Sequence, residues 1–543
     1  MSTTDHPPGD SKLPRPLVTT SPLSPFRHPA FTVLWIATVV SNIGTWMQGA
    51  AAAWLMTHLN PDPLVVALVQ VAAALPMFIF ALPAGALADI VDRRKLLIGT
   101  QAATVLLATL FGVLVWLERV TPASLLLLAF LLGACAALIA PTWQSIVPQL
   151  VPRPVLQPAV ALNSVGFNVS RAVGPALAGV IIGAWSLAAP FWINAVATAG
   201  VIAALVWWRP PPARESELPP ERFFGAIRAG LRHARFNPHL RATLIRGASF
   251  FAIASAYWAL LPLIVRDQVK GGPALYGILL GVIGAAAVGG ALFLPPLKRR
   301  LGADGVVLAG TIGTAAAMIL YGLAQRPAAA IAASVLAGMS WIAVLATINV
   351  SAQVALPEWV RGRGLAAFVT VQFGGLAIGS VVWGGVATLT GLPLAHYLAA
   401  AVMIVTIPLL ARWKLQTGAG VDLTPSMHWP VPVLSPELAG DQGPVLITIE
   451  YRVPHADRSA FLVAIAKFAS IRRRDGAYDW DVYEDAADPG RFVEAYLVDS
   501  WMEHLRQHER VTMADKVVEG SIRRFHVQGE PVVTHWLSQR RRS

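Results

Sequence analysis

Apolar stretches separated by short polar clusters run from residue 31 to residue 414. Most hold about 20 residues or more, enough at 1.5 Å per residue to cross roughly 30 Å of hydrocarbon. The pattern predicts spans at 31–58, 64–88, 96–117, 123–147, 159–186 and 188–208, then at 241–266, 274–297, 305–325, 328–353, 364–389 and 391–413. Between the two sets, 209–240 opens on Pro210-Pro211-Pro212 and then turns amphipathic. Phe223, Phe224, Ile227 and Leu231 share one helical face, with Arg228, Arg232 and Arg235 towards the other. A basic amphipathic helix of this kind suits an anionic membrane surface.

After Lys414 the period changes. Residues 415–443, rich in Pro, Gly and Ser, read as a linker. From Val445 the apolar period becomes two, through Ile447, Ile449 and Tyr451, and a helix follows with Phe461, Ile465 and Phe468. Strand-like Tyr478–Tyr483 and Arg491–Asp499 flank an Asp488-Pro489-Gly490 turn. A second helix begins near Ser500 and a last short strand lies near Pro531–Thr534. The order βαββαβ predicts a small ferredoxin-like α+β domain over 444–543. The fold class expected is therefore an all-α membrane bundle of twelve helices with a soluble α+β tail.

Composition removes the soluble alternatives. Of 543 residues, 55% are hydrophobic and 13% charged, with a mean hydropathy of +0.58. The net charge of +12 would suggest nucleic acid in a soluble protein, but here the excess sits in alternate loops. Arg93, Arg94, Lys95, Arg153, the 209–240 segment, Lys298, Arg299, Arg300, Arg361, Arg363, Arg412 and Lys414 face Arg119, Arg266, Lys270 and Arg326 across the spans. The positive-inside rule then places both termini in the cytoplasm. Residues 1–30, polar and proline-rich, read as a disordered cytoplasmic tail with no cleavable leader before the first span. The single cysteine, Cys135, allows no intramolecular disulfide and no metal cluster; no metal or cofactor motif is evident.

The chain also repeats itself. An offset of 205 residues carries Gly85 with Arg93-Arg94-Lys95 onto Gly290 with Lys298-Arg299-Arg300, Pro152 onto Pro357, Gly174 onto Gly379, and Gly179 onto Gly384. Two six-helix bundles, 31–208 and 241–414, with a substrate path between them, are the architecture this duplication predicts.

Two motifs carry function. Gly85-x-x-x-Asp89-Ile90-x-Asp92-Arg93-Arg94 resembles the signature loop of the major facilitator superfamily, with Ile90 where a basic residue and Asp92 where a second glycine are usual. Gly85 permits close helix approach, and Asp89 can meet helix dipoles or an arginine across the bundle interface, a gating role. Gly174-Pro175-x-x-x-Gly179 resembles the exporter stretch of that superfamily, in which proline frees a carbonyl and glycines admit a neighbouring helix. Together with Phe26-Arg27-His28-Pro29-Ala30-Phe31 and Leu162-Asn163-Ser164, these motifs resemble the transmembrane secretion effectors, the group of the enterobactin exporter. Ser500-Trp501…His504…Gln507-His508-Glu509-Arg510 resembles an antibiotic-biosynthesis-monooxygenase type of dimeric α+β domain. The resemblance implies efflux of a small organic molecule, siderophore or drug, across a bacterial inner membrane, driven by an ion gradient, with the proton as coupling ion and dimerisation through the tail. Import of a nutrient, or a tail that modifies the cargo, stay open as alternatives.

Arg171 is the sharpest single residue, about twelve residues into the fifth predicted span, where a cation costs on the order of 3 kcal/mol unless it has a wet or paired environment. No Asp or Glu stands mid-span between 31 and 414, so an anionic cargo and a structural site both account for it. Asn42 and Gln48 in the first span and Gln372 in the eleventh are the other expected cavity residues. Gln70, Gln101, Gln144, Asn194, Asn349, Gln353 and His396 read as interhelical hydrogen-bond partners. His504 and His508, four apart on one helix, match a metal-ligand spacing without a third ligand, and a packed helix is the better reading.

Overall fold

A computed structural model of the chain describes residues 21–209, 223–417, 422–429 and 442–538, apart from the side chains of 82, 85, 86, 88–90 and 223–229. Of the disordered tail expected over 1–30, residues 1–20 lie outside what is described, whereas Ser24–Arg27 form a helical turn and the first helix already starts at Pro29. Pro210-Pro211-Pro212, the apolar face of Phe223, Phe224 and Ile227, and the side chain of Asp89 also lie outside what is described.

The first half folds as α1 (Pro29–Leu59), α2 (Pro63–Ile90), α3 (Arg93–Trp116), α4 (Pro122–Leu150), α5 (Leu156–Ala184) and α6 (Ala189–Trp207). A surface helix, α7 (Phe223–Phe236), leads into α8 (Pro238–Leu263), α9 (Pro273–Leu323), α10 (Pro327–Val354), α11 (Arg361–Thr390) and α12 (Leu392–Leu410). Eleven of these are long and apolar enough to cross a bilayer. The starts are set by local chemistry. Asp62 accepts from the backbone N–H of Leu64 and Val65 at the head of α2, Thr121 and Ser124 form a capping box at α4, and Asn237 caps α8.

At 51 residues α9 is far longer than one crossing needs. It breaks at Gly302, whose φ of 69° is a left-handed conformation that suits glycine. Both arms lie against the same stretch of α10: Gly338 touches Ala286 of the first arm, and Gly310 of the second arm touches Val344 and the Ser340 carbonyl. The chain therefore reverses at Gly302, and α9 supplies two spans, close to those expected at 274–297 and 305–325.

The 205-residue offset appears as pseudo-symmetric packing. A Cβ at Gly174 of α5 would lie 2.6 Å from Trp46 Cβ of α1, and Gly379 of α11 is pressed against Ala252 and Ser255 of α8. Gly179 meets the start of α9 at the Pro273 carbonyl, and Gly384 meets the start of α2 at Leu64. Pro152 and Pro357 precede equivalent short turns, Arg153–Val155 and Glu358–Val360.

Beyond the bundle the chain forms β1 (Val445–Arg452), α13 (Arg458–Asp475), β2 (Tyr478–Glu484), β3 (Arg491–Val498), α14 (Trp501–Arg510), α15 (Met513–Arg523) and β4 (Val532–Leu537). The sheet is antiparallel in the order β2-β3-β1-β4, with Val445 opposite Val498 and Leu537. Val445, Ile447, Ile449 and Tyr451 pack under Phe461, Ile465 and Phe468 of α13, the period-two face seen in the sequence. The second predicted helix is two helices. Thr512 and Asp515 build a capping box that restarts the chain as α15. Residues 422–429, read as linker, instead lie against this domain: Ser426 bonds the Val511 carbonyl, and His428 and Trp429 both reach Glu519.

Candidate functional site

A cavity of about 2040 Å³ opens between the two halves, several-fold larger than an ordinary drug-sized site. Its wall follows helical spacing. Trp35, Thr38, Asn42 and Thr45–Trp46 mark one face of α1, and Val160, Asn163–Ser164 and Phe167–Asn168 one face of α5. Gln101 of α3, Gln144 of α4, Asn349 and Gln353 of α10, and Phe368 and Phe373 of α11 complete it. Gly230 and Leu231 of α7, Trp359 and Arg363 stand at the mouth.

The opposite end is shut by contacts between the halves. Trp54 of α1 stacks on Tyr276 of α9 with centroids 5.8 Å apart. The Arg266 guanidinium donates to the Thr57 carbonyl at the end of α1 and pairs with Asp267 at 2.6 Å. Thr388 of α11 donates to Asp62 at the head of α2, 2.9 Å away. Gly179 and Gly277 let α5 and α9 touch backbone to backbone, since a Cβ on Gly277 would lie 2.5 Å from the Pro175 carbonyl oxygen. Pro175 lacks the N–H that would bond the carbonyl of residue 171, which loosens α5 at this level.

Asn42 and Gln48 line the cavity as the sequence suggests, and Gln48 is also held, accepting from Asn194 at 2.6 Å. Arg171 and Gln372 are not among the described lining residues. Gln372 shares its helical face with Gly375 and Gly379, both pressed on α8, whereas Phe373 takes the cavity side. Arg171 extends the α5 cavity face by one more turn, and there its guanidinium is caged by Trp46, Trp258 and Trp341 at 5.8, 5.4 and 5.7 Å. Among the described residues it makes no ion pair and no hydrogen bond. The cage draws its rings from α1, α8 and α10, so aromatic faces from both halves surround one cation just beyond the cavity floor. Sequence reasoning placed Gln101, Gln144, Asn349 and Gln353 between helices; the recurrence of amides at cavity depth on α3, α4 and α10 was the signal for a polar wall.

The described contacts of the signature loop lie in the first half. Asp92, the departure from the usual glycine, caps α3 by accepting from the Lys95 backbone N–H at 2.8 Å. Arg94 donates to the Leu205 and Val206 carbonyls, closing the last turn of α6. Arg93 reaches the Ser145 carbonyl of α4. Gly85 and Asp89 are helical in α2.

The α+β domain sits at the cavity mouth. Glu503 of α14 accepts from Arg232 of α7 at 3.0 Å and from Arg510 at 2.6 Å. Arg510 in turn lies 4.5 Å from the Trp359 ring at the mouth, and His233 of α7 meets the same ring edge-on. Inside the domain Arg472 pairs with the fully buried Glu494 at 3.0 Å, and Trp480 and Tyr451 donate to the same carboxylate. Trp429 lies over Arg472 and against His508, filling the space between α13 and α14. His504 and His508 stand 3.4 Å apart beside His535, and burial, reinforced by His535, pushes them down to about 3 and about 4 respectively. No group of three metal-ligating side chains assembles among the described residues.

Solved structures of transporters share the fold of the bundle. A mutant form of the nucleoside transporter NupG aligns with a TM-score of 0.60 at 11% identity, over 71% of this chain and 99% of its own. A bacterial homologue of the iron transporter ferroportin in an inward-facing state aligns with 0.55 at 15%, over 71% and 98%. Among curated sequences, the staphyloferrin A transporter of Staphylococcus aureus is 22% identical over 262 residues, 48% of this chain and 65% of its own length. The macrolide efflux protein A of Streptococcus pyogenes is 23% identical over 270 residues, 47% and 66%. Matches to these two thus span slightly less than two thirds of each relative. The multidrug efflux pump Tap of Mycobacterium tuberculosis is 25% identical over 422 residues, 75% of this chain and 98% of the pump. The family described as transmembrane secretion effector matches residues 20–543. This multi-pass membrane protein belongs to the transmembrane secretion effector family of major facilitator transporters.

Proposed function

We propose that the chain exports a small organic molecule across a bacterial inner membrane by alternating access, with both termini and the α+β domain in the cytoplasm. The observation that carries this reading is the asymmetry of the cavity, about 2040 Å³ at the end that holds α7 and closed beyond Arg171. In this reading the state described is cytoplasm-facing, and release requires the Gly179–Gly277, Trp54–Tyr276 and Asp62–Thr388 contacts to part. Gly174, Pro175 and Gly179 form the hinge surface, Gly85 and Asp89 gate the opposite end, and Arg171 sets a positive cavity floor. The proton is the proposed coupling ion, as the family resemblance implies. The strand order β2-β3-β1-β4 supports a ferredoxin-like, monooxygenase-type tail. With Trp429 filling the space between its helices, that tail serves docking and dimerisation rather than catalysis.

Everted membrane vesicles test the proposal. Energised vesicles carrying the protein are expected to accumulate an exported compound and to lose it when a protonophore is added. Accumulation in right-side-out vesicles only would establish import and refute it.

A further inference from the structure

The cavity wall carries amides and hydroxyls but, among its described lining residues, no Asp, Glu or His. Several wall amides are already spent on each other: Gln48 with Asn194, Asn349 with Gln353 at 2.6 Å, and Asn168 with the Ser164 carbonyl. Asn42, Gln101, Gln144 and Asn163 make no hydrogen bond to the protein among the described residues. Each offers a cargo both a carbonyl acceptor and an amide donor pair. They lie on α1, α3, α4 and α5 and so converge from four helices on the same space.

The charge at the floor of the space is positive. Arg171 stands one turn beyond the floor, its cation bounded by three tryptophan rings and no carboxylate. Arg363 is the single cation among the described lining residues, at the mouth beside Gly230. A cationic cargo would meet the positive charge of Arg171 beyond the floor and find no counter-ion among the described lining residues, and a charge leaving water without a partner is strongly disfavoured. Uncharged carbonyl and hydroxyl oxygens face no such penalty, and Trp35, Trp46 and Phe167 supply an apolar surface for a ring or chain.

Building on the export reading, we propose that the cargo is a non-basic, oxygen-rich organic molecule. Free amides of Asn42, Gln101, Gln144 and Asn163 recognise its carbonyls and hydroxyls, and organic cations are excluded.

The test measures cellular accumulation of two probes of moderate size, the uncharged macrolactone erythronolide B and the permanent cation tetraphenylphosphonium. The full chain is compared with its Gln144→Asp variant and with cells lacking it. The expected result is several-fold lower accumulation of the lactone with the parent protein and no change for the cation. Gln144→Asp, which places a carboxylate on the wall, is expected to begin exporting the cation, with binding tighter by roughly tenfold, equivalent to about 1.4 kcal/mol. Export of the cation by the parent protein at or above that of the lactone overturns the substrate class and leaves export standing. Raised accumulation of either probe overturns the export reading itself. No effect on either probe, or a Gln144→Asp protein present in the membrane that still ignores the cation, overturns the substrate class.

Discussion

Placing a single methyl group on Gly277 tests whether the closed end is a working contact. The Cβ of Gly277→Ala would lie 2.5 Å from the Pro175 carbonyl oxygen, 2.8 Å from Gly179 Cα and 2.9 Å from Gly179 N. All three are backbone atoms, so no rotamer change relieves the clash. Restoring an ordinary 3.4 Å contact from 2.5 Å requires α5 and α9 to separate by roughly 0.9 Å at this level. Overpacking of this kind costs about 1–3 kcal/mol, which would shift the ratio of closed-end to opened-end states by roughly 5- to 160-fold. Spin-label pairs read that ratio: Asn60 with Thr390 across the closed end, and Gln157 with Arg361 across the cavity end. Gly277→Ala is expected to add a longer component to the first pair and a shorter one to the second. Gly183→Ala, on the same face-sharing α5 but with nothing within 4 Å of its Cβ, is the control and should change neither. Unchanged distributions in a folded Gly277→Ala protein would refute the reasoning.

Glu503→Gln leaves Arg232 and Arg510 without their shared carboxylate in a half-buried site. It should cost about 1–3 kcal/mol of docking, seen as faster hydrogen exchange over 230–236 and 358–360 with the core of α5 unchanged. His504 sits well below its ordinary value of 6.5, at about 3, because of burial first and His535 and His508 next, so the unfolded chain takes up its proton first. The domain should hold full stability near pH 7 and lose it as pH falls from 6.5 towards 3, measured as the urea midpoint of a fluorophore at position 517 in the full chain. His504→Gln should flatten that dependence. Arg171→Leu, which copies Leu376 of the second half, forfeits three ring contacts of about 0.5–2 kcal/mol each. It also removes an unpaired intramembrane cation costing on the order of 3 kcal/mol, so the melting temperature in detergent should stay near the parent value while export falls. A large drop in melting temperature with export retained would assign the arginine a structural role.

The bundle was legible in the sequence because a bilayer imposes length and apolarity on every span, and the internal offset marked the glycines that touch. Gly174, Gly179, Gly379 and Gly384 pack at equivalent helix pairs, as their common spacing suggested. The reversal at Gly302 lay within a polar gap between two predicted spans, although helix runs through both sides of the break. The cavity was legible in part. Asn42 follows from its place on α1, but Gln372 and Phe373 differ by one residue and therefore by about 100° of helix face, which spacing alone did not resolve. Arg171 was visible as an anomaly. Its tryptophan cage was not, because Trp46, Trp258 and Trp341 come from three distant helices and share no local pattern. The Thr512–Asp515 box that splits the last helical stretch was readable and was passed over, whereas the docking of Glu503 on Arg232 is a tertiary contact across 271 residues.

Export itself is tested most directly by comparing the small molecules retained inside cells that express the chain with those in cells that lack it, by untargeted mass spectrometry of cell and medium. The account predicts at least one non-basic, oxygen-rich compound that is several-fold depleted from expressing cells and enriched in their medium, with the difference abolished by a protonophore. A compound enriched inside expressing cells and depleted from the medium would contradict it.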